Sequence, residues 1–81
     1  MTIEKFREVL ETRPFQPFTI CLADGTAVPV VSREFVTPSP SGRTVVVFQP
    51  DDRMSILDLL LVTKLVVEPK SNGDRARKKK R

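Results

Sequence analysis

The clearest chemical potential in this chain lies in the bases of its last twelve positions, 70 to 81, called the tail below. This segment contains one acid, Asp74, against seven bases, so its formal charge is +6. Each lysine or arginine that neutralises a phosphate releases condensed counterions, which gives sequence-independent affinity and a steep dependence on salt. We therefore predict nucleic-acid binding, to RNA or DNA, by Lys70, Arg75, Arg77, Lys78, Lys79, Lys80 and Arg81.

Two other interpretations of the tail stay open. It is either a solvated extension that keeps a small domain soluble, or a contact for an anionic membrane surface. Because it has no apolar residue beyond Ala76, it cannot bury enough surface to fold alone, and we predict that it is disordered. No aromatic residue alternates with its bases, so stacking on nucleotide bases would have to come from Phe15 and Phe35, the two phenylalanines that we expect to be exposed.

The remaining reactive side chains do not combine into a catalytic or metal-binding pattern. The chain has one cysteine, Cys21, and no histidine, so a thiol nucleophile would lack its commonest general base. Asp51 and Asp52 follow a proline, as turn residues do, although together with Asp24 and Asp58 they allow a cation site as the weaker alternative. The three glycines lie singly, which argues against a phosphate-binding loop. We predict no enzymatic activity, no cofactor, no metal site and no small-molecule substrate.

Residues 1 to 69, called the body below, have a different electrostatic character from the tail. They contain seven bases and nine acids, a formal charge of −2. A domain of this size buries only roughly 60% of the surface of its unfolded chain and usually needs a metal, a disulfide or a partner subunit. With one cysteine and no histidine, a disulfide within the chain and a zinc site are both ruled out. We therefore predict a homo-oligomer.

The sequence also predicts a location. No apolar run approaches the roughly 18 to 20 residues that span a bilayer, so we predict no integral membrane segment. The N-terminus lacks a basic segment followed by an apolar stretch and a cleavage site, which predicts a cytoplasmic protein. No prenylation cysteine ends the chain, so any membrane contact would depend on the charge of the tail.

A helix is the first element that must position these residues. Thr2 is suited to the N-cap, and Pro14 disfavours helical geometry at the residue before it. Between them, apolar residues recur at helical spacing and predict a helix from 3 to 12. Its buried face is expected to comprise Ile3, Phe6, Val9 and Leu10.

Strands are predicted next. Alternation from Phe18 to Leu22, followed by Asp24 and Gly25, predicts a strand and a tight hairpin turn. The returning strand, 26 to 31, contains Pro29, which cannot donate a ladder hydrogen bond and is expected at an edge, a bulge or a bend. Residues 35 to 37 are predicted to resume this strand before a turn at 38 to 42.

The second half of the body predicts two further strands, 43 to 49 and 54 to 58, joined by a turn at 50 to 52. From 57 to 67 the apolar residues lose their alternation. We favour a short helical turn at 59 to 61 and a last strand from 62 to 68 that Pro69 ends; a single helix over 56 to 67 is the alternative. The predicted oligomer interface is the apolar edge of this segment, formed by Leu59, Leu61, Val62, Leu65 and Val67.

Two strings in the body resemble a family of short bacterial proteins of uncharacterised activity, familiar from planctomycetes and related lineages. They are PFxPFxIxLxDG at residues 14 to 25 and IxDLLLVT at residues 56 to 63. The resemblance covers nearly all of residues 3 to 68 and does not extend to the tail. It implies no activity.

The predicted order of elements is also similar to that of Sm-like proteins, whose bacterial members are RNA chaperones. Sm-like proteins form rings by pairing the fourth strand of one subunit with the fifth strand of the next, and they bind RNA on the face of the ring. The resemblance therefore implies an oligomer and RNA. This chain lacks the asparagine, arginine-glycine and histidine signatures of those proteins, so no pocket residue is carried over.

These observations predict an α+β fold: an N-terminal helix followed by a small, curled, mostly antiparallel sheet or barrel of four to five strands, Sm-like or SH3-like, in residues 1 to 69. The predicted function is a non-enzymatic, nucleic-acid-associated protein whose tail binds phosphates and whose body forms oligomers. The alternative is a protein–protein interaction or structural module with an incidental solubility tail.

Overall fold

The computed structural model describes residues 1 to 69, so the predicted disorder of 70 to 81 and the seven tail bases lie outside the described residues. The body is α+β, as predicted. Short 3-10 turns lie at Arg33–Phe35 and Leu59–Leu61. The helix and the six strands are α1 (Ile3–Leu10), β1 (Phe18–Leu22), β2 (Ala27–Val30), β3 (Val36–Pro38), β4 (Thr44–Phe48), β5 (Met54–Asp58) and β6 (Val62–Val67).

Helix α1 begins where the sequence predicts and ends two residues earlier. The side chain of Thr2 accepts a hydrogen bond of 3.2 Å from the backbone N–H of Lys5, so it caps the first turn. At the other end, the hydroxyl of Thr12 donates to the carbonyl of Glu8 at 2.9 Å. The helix ends at Leu10, and this bond satisfies one of its last carbonyls.

The strands form two antiparallel sheets of three strands each. The first sheet has the order β2-β1-β6, and the second has the order β3-β4-β5. In the first sheet Phe18 lies between Val30 of β2 and Val67 of β6. The prediction of one curled sheet or barrel with four to five strands is therefore corrected, since six strands are divided between two sheets and no closed barrel forms within residues 1 to 69.

The division arises at the segment between β2 and β3. β2 pairs with β1, and the 3-10 turn at Arg33–Phe35 then redirects the chain. As a result β3 pairs with β4 instead of β1. Pro29 lies in β2, an edge strand, as predicted from its missing donor.

Two hairpins share one turn geometry. In the β1–β2 hairpin the N–H of Gly25 donates to the carbonyl of Leu22 at 3.0 Å, and in the β4–β5 hairpin the N–H of Asp52 donates to the carbonyl of Gln49 at 3.0 Å. The donors have positive φ angles, 92° at Gly25 and 76° at Asp52. Glycine adopts this conformation freely, whereas an aspartate is strained by it.

One hydrophobic core joins α1 to both sheets. The rings of Phe6 and Phe18 meet edge to face, with centroids 6.0 Å apart and planes at 81°. The core includes residues from the helix and from all six strands, and no polar or charged residue of the body is buried in it. Its members are Phe6, Leu10, Phe18, Ile20, Val28, Val30, Val36, Val45, Val47, Leu57, Leu59 and Val62.

The ambiguous segment from 57 to 67 adopts the favoured arrangement. Leu59–Leu61 is a 3-10 turn and β6 follows it, so the alternative of a single helix is wrong. The carboxylate of Asp58 accepts a hydrogen bond of 3.0 Å from the N–H of Leu60 and caps the turn.

Candidate functional site

The predicted nucleic-acid-binding residues lie beyond the described body, and the structure defines the place from which they extend. Pro69 is the last described residue, and the N–H of Glu68 donates to the carbonyl of Pro17 at 2.9 Å. This bond holds the end of β6 beside the start of β1. Pro69 and Phe15 both line a mostly apolar groove of about 450 Å³, which we call the tail-root groove.

Phe15 lines both the tail-root groove and a second cavity. It is half-buried and packs against Phe18, with ring centroids 6.0 Å apart. The second cavity, of about 510 Å³, lies beyond the end of α1 and is also lined by Arg13 and Arg33. Phe35 is half-buried as well, so the predicted exposure of the two phenylalanines is correct only in part.

The second cavity combines an aromatic wall with two guanidinium groups. Arg33 is held in place by an ion pair of 2.8 Å to Glu11 and by a hydrogen bond of 3.4 Å to the carbonyl of Val36. Arg13 lines the same cavity and is exposed. Two bases and one acid, Glu11, give this rim a formal charge of +1.

Asp24 and Asp51 accept hydrogen bonds within the hairpin turns. Asp24 accepts a hydrogen bond of 2.9 Å from the backbone N–H of Thr26, and this bond is the main cause of a lowered pKa for Asp24. Asp51 accepts from Nε of Arg53 at 2.8 Å, and this side-chain bond is the main cause of a lowered pKa for Asp51. Within the described body no three histidine, cysteine, aspartate or glutamate residues come together to hold a metal.

The residues of the predicted oligomer interface are divided by the structure. Leu59 and Val62 are core residues of the chain itself, so they present almost no surface to a partner and the prediction is corrected for these two. Leu65 is half-buried against the core. Leu61 and Val67 are exposed. The interface itself stays a prediction, and its exposed members, Leu61 and Val67, are accessible to a partner.

The sequence analysis missed an apolar surface on the second sheet. Phe48, Met54 and Ile56 have 44%, 54% and 66% of their surface exposed. Phe48 lies opposite Met54, and Val46 lies opposite Ile56. A signal was available, because the alternation that buries Val45 and Leu57 turns their neighbours outward.

Comparisons with known proteins assign no function to this chain. No protein-family model, no curated protein and no solved structure matches this chain. No helix within the described residues is long and apolar enough to cross a membrane. The two resemblances noted in the sequence therefore remain predictions.

Proposed function

We propose that this chain is a small, non-enzymatic, nucleic-acid-associated protein in which the tail contacts phosphates and the body self-associates. The observation that carries the proposal is the separation of charge, with −2 over residues 1 to 69 and +6 over residues 70 to 81. An acidic body repels a polyanion, so attraction has to come from the tail. Contacts to phosphate carry no sequence information, and we expect binding that is strong at low salt and indifferent to sequence.

The surface around Pro69, the residue that precedes the tail, supports contact with unpaired nucleotides. Pro69 and Phe15 line the tail-root groove, and Phe15 also lines the cavity that contains Arg13 and Arg33. A strand held by the tail would thus meet an aromatic side chain and two guanidinium groups on the adjacent body. Aromatic and guanidinium faces are the groups on which unpaired bases stack.

The pairing of the strands supports the proposed likeness to Sm-like proteins. β1 is flanked by β2 and β6, and a 3-10 turn precedes the last strand. Membership of the bacterial family that shares the strings at 14 to 25 and 56 to 63 belongs to the same proposal. Neither likeness supplies a binding pocket.

The proposal is tested by titrating labelled single-stranded RNA and duplex DNA of equal length with the full chain at several salt concentrations. The test variant replaces Lys78, Lys79 and Lys80 by glutamine. If each lysine neutralises one phosphate, the slope of log affinity against log salt should fall in magnitude by about 2 to 3.

A matched variant removes the same charge from the body. It replaces Lys5, Arg7 and Arg43 by glutamine, all of which are exposed. We expect its salt slope to stay close to that of the unmodified chain. Equal losses in both variants would point to diffuse net charge instead of the tail, and affinity that does not change with salt would reject the proposal.

The exposed apolar residues of the body favour a second candidate, a protein–protein interaction module. Phe48, Met54, Ile56 and Leu60 all have large exposed fractions. This candidate predicts that substitution of the tail lysines leaves binding to a protein partner intact, while a charged residue at Ile56 abolishes that binding. The tail variant therefore separates the two candidates, because only the first one depends on the tail lysines.

A further inference from the structure

Four strands lie at the edges of the two sheets, and three of them carry a residue that discourages further pairing. The free edge of a strand offers unpaired N–H and C=O groups to any other chain, and proteins protect such edges with proline or lysine. β2 contains Pro29, β3 contains Pro38 and β6 contains Lys64. β5, from Met54 to Asp58, contains neither residue.

Both prolines are oriented so that they block the edge. The N–H of Leu22 donates to the carbonyl of Thr26 at 2.9 Å, which sets the alternation of the β1–β2 ladder. In such a ladder the backbone N–H and C=O groups of successive residues point alternately toward the partner strand and toward the open edge. Thr26 points toward β1, so Pro29, three positions later, turns its nitrogen toward the open edge. In the second sheet, the bond of 2.8 Å from the N–H of Ser39 to Thr44 places Pro38 in the same way.

β5 presents its backbone without such a block. Its ladder with β4 is bracketed by hydrogen bonds of 2.8 Å, one from the N–H of Gln49 to the carbonyl of Arg53 and one from the N–H of Leu59 to the carbonyl of Arg43. Counting from these bonds, alternate residues turn their N–H and C=O groups away from β4. Ile56, at the middle of the strand, is one of them.

The exposed side chains around this open backbone are apolar except for Asp58, at the end of the strand. Ile56 is the most exposed residue of the missed surface, and the pair formed by Phe48 and Met54 lies two register positions away on the same face. An open edge without lysine or proline, bordered by exposed apolar side chains, is a pairing site that no other strand of the body offers.

We propose that two copies of this chain pair through β5 about a two-fold axis at Ile56. Two copies of a strand related by such an axis are antiparallel. The N–H of each Ile56 would therefore donate to the C=O of the partner's Ile56. The second sheet then continues across the axis as a six-stranded sheet. The apolar residues Phe48, Met54 and Ile56 become one surface shared by both copies. A contact of one short strand is small, so the dimer is reversible.

This inference rests on the self-association in the proposed function and names its interface. Its test uses the full chain without nucleic acid, so it is independent of the salt slopes that test the tail. Sedimentation equilibrium over a range of protein concentrations should show the average mass rising from one chain toward two. Ile56→Lys should raise the dissociation constant by at least about tenfold, because two like charges would face each other across the axis.

The matched control is Thr37→Lys. Thr37 is exposed and lies on the second sheet opposite Val46, which itself lies opposite Ile56. It therefore adds the same charge to the same row, on the edge that Pro38 already blocks. We expect Thr37→Lys to dimerise like the unmodified chain. Equal weakening by both variants, or a monomer at every concentration of the unmodified chain, would overturn the proposal.

Cross-linking keeps the test decisive if Ile56→Lys does not fold. In a Cys21→Ser background, Ile56→Cys should form a disulfide between chains when oxidised glutathione is added. Directly paired residues have Cα atoms roughly 5.5 Å apart, which is within the range that disulfides bridge. Thr37→Cys should stay uncrosslinked. The alternative is pairing of β5 with β6 of another chain. It would give species larger than a dimer, no cross-link between two Ile56→Cys chains, and a cross-link between an Ile56→Cys chain and a Val67→Cys chain. That result would contradict the two-fold arrangement.

Discussion

The two sheets of the body follow one plan on their inner faces and differ on their outer faces and edges. Each has three antiparallel strands, and each gives its inward side chains to the common core. The first sheet has Pro29 and Lys64 on its two edge strands. The second sheet has Pro38 on one edge strand, but β5 has neither proline nor lysine. Its one charged residue, Asp58, lies at its end, and the exposed side chains before it are apolar.

This difference separates two roles of apolar residues in a small protein. Inward-facing valines and phenylalanines decide which fold forms, because their burial drives folding. Outward-facing apolar residues contribute little to that choice and instead determine what the folded surface can bind. In this chain both kinds alternate along the same strands, so one apolar run serves both roles.

The largest expected effect concerns the shared core. Phe18→Ala in the first sheet should lower the free energy of unfolding by about 3 to 5 kcal/mol, and Val47→Ala in the second by about 2 kcal/mol, because less volume is removed. Both variants should unfold in one transition, measured by circular dichroism in urea. Two separate transitions would show that the sheets are independently stable.

Much of this plan was predictable from the sequence. The N-cap at Thr2, the turn at Gly25, the edge position of Pro29 and the 3-10 turn at Leu59–Leu61 all follow from local chemistry that acts within a few residues. The division into two sheets was not predictable, since alternation reports which side of a strand is buried and not which strand lies next to it.

The candidate site was predictable to a smaller extent. The charge of the tail is a property of composition, so it is evident in the sequence. The groove at Pro69 brings together residues from both ends of the body, Phe15 and Glu68 among them, and depends on the pairing of β1 with β6. Leu59 and Val62 were assigned to an interface because a continuous apolar run does not reveal which members face the core.

A second prediction contrasts Gly42, in the turn between β3 and β4, with Gly25. Both have positive φ angles, but a Cβ at Gly42 would lie 2.9 Å from the Cβ of Ile3, whereas none would be close at Gly25. Gly25→Ala should lower the free energy of unfolding by about 1 to 2 kcal/mol, through backbone strain alone. Gly42→Ala should cost about 1 to 3 kcal/mol more, through overpacking against α1. If both variants lose the same free energy of unfolding in urea, α1 shifts to make room for the added methyl group at position 42.

A third prediction uses the two hairpins with the same turn. Asp52→Gly should raise the free energy of unfolding by up to about 1 kcal/mol, because glycine relieves the strain of the positive φ angle. Asp51→Gly is the control, and it should lower stability, since the bonds from Asp51 to Arg53 are lost. A loss of stability in Asp52→Gly, measured by thermal unfolding, would contradict the assignment of strain.

The smallest expected effect is a pH dependence shared by the two hairpins. The pKa values of Asp24 and Asp51 are lowered in the folded state from the ordinary value of 3.8. A lowered pKa contributes stability that is present above the ordinary value and is lost as the pH falls through the lowered one. The free energy of unfolding should therefore decrease below about pH 3.8, and Asp24→Asn or Asp51→Asn should each flatten this decrease. An unchanged slope in both variants would assign the acid sensitivity to other carboxyl groups.

The pairing of β1 with β6 has a consequence for the order in which the two sheets form. All strands of the second sheet follow one another between Val36 and Asp58, so that sheet closes only short loops. The first sheet closes a much longer loop, because its central strand β1 pairs with β6 across the whole of the second sheet. Since long-range pairing is slower, we expect the second sheet to form first, with Phe18 and Ile20 unburied until β6 pairs with β1.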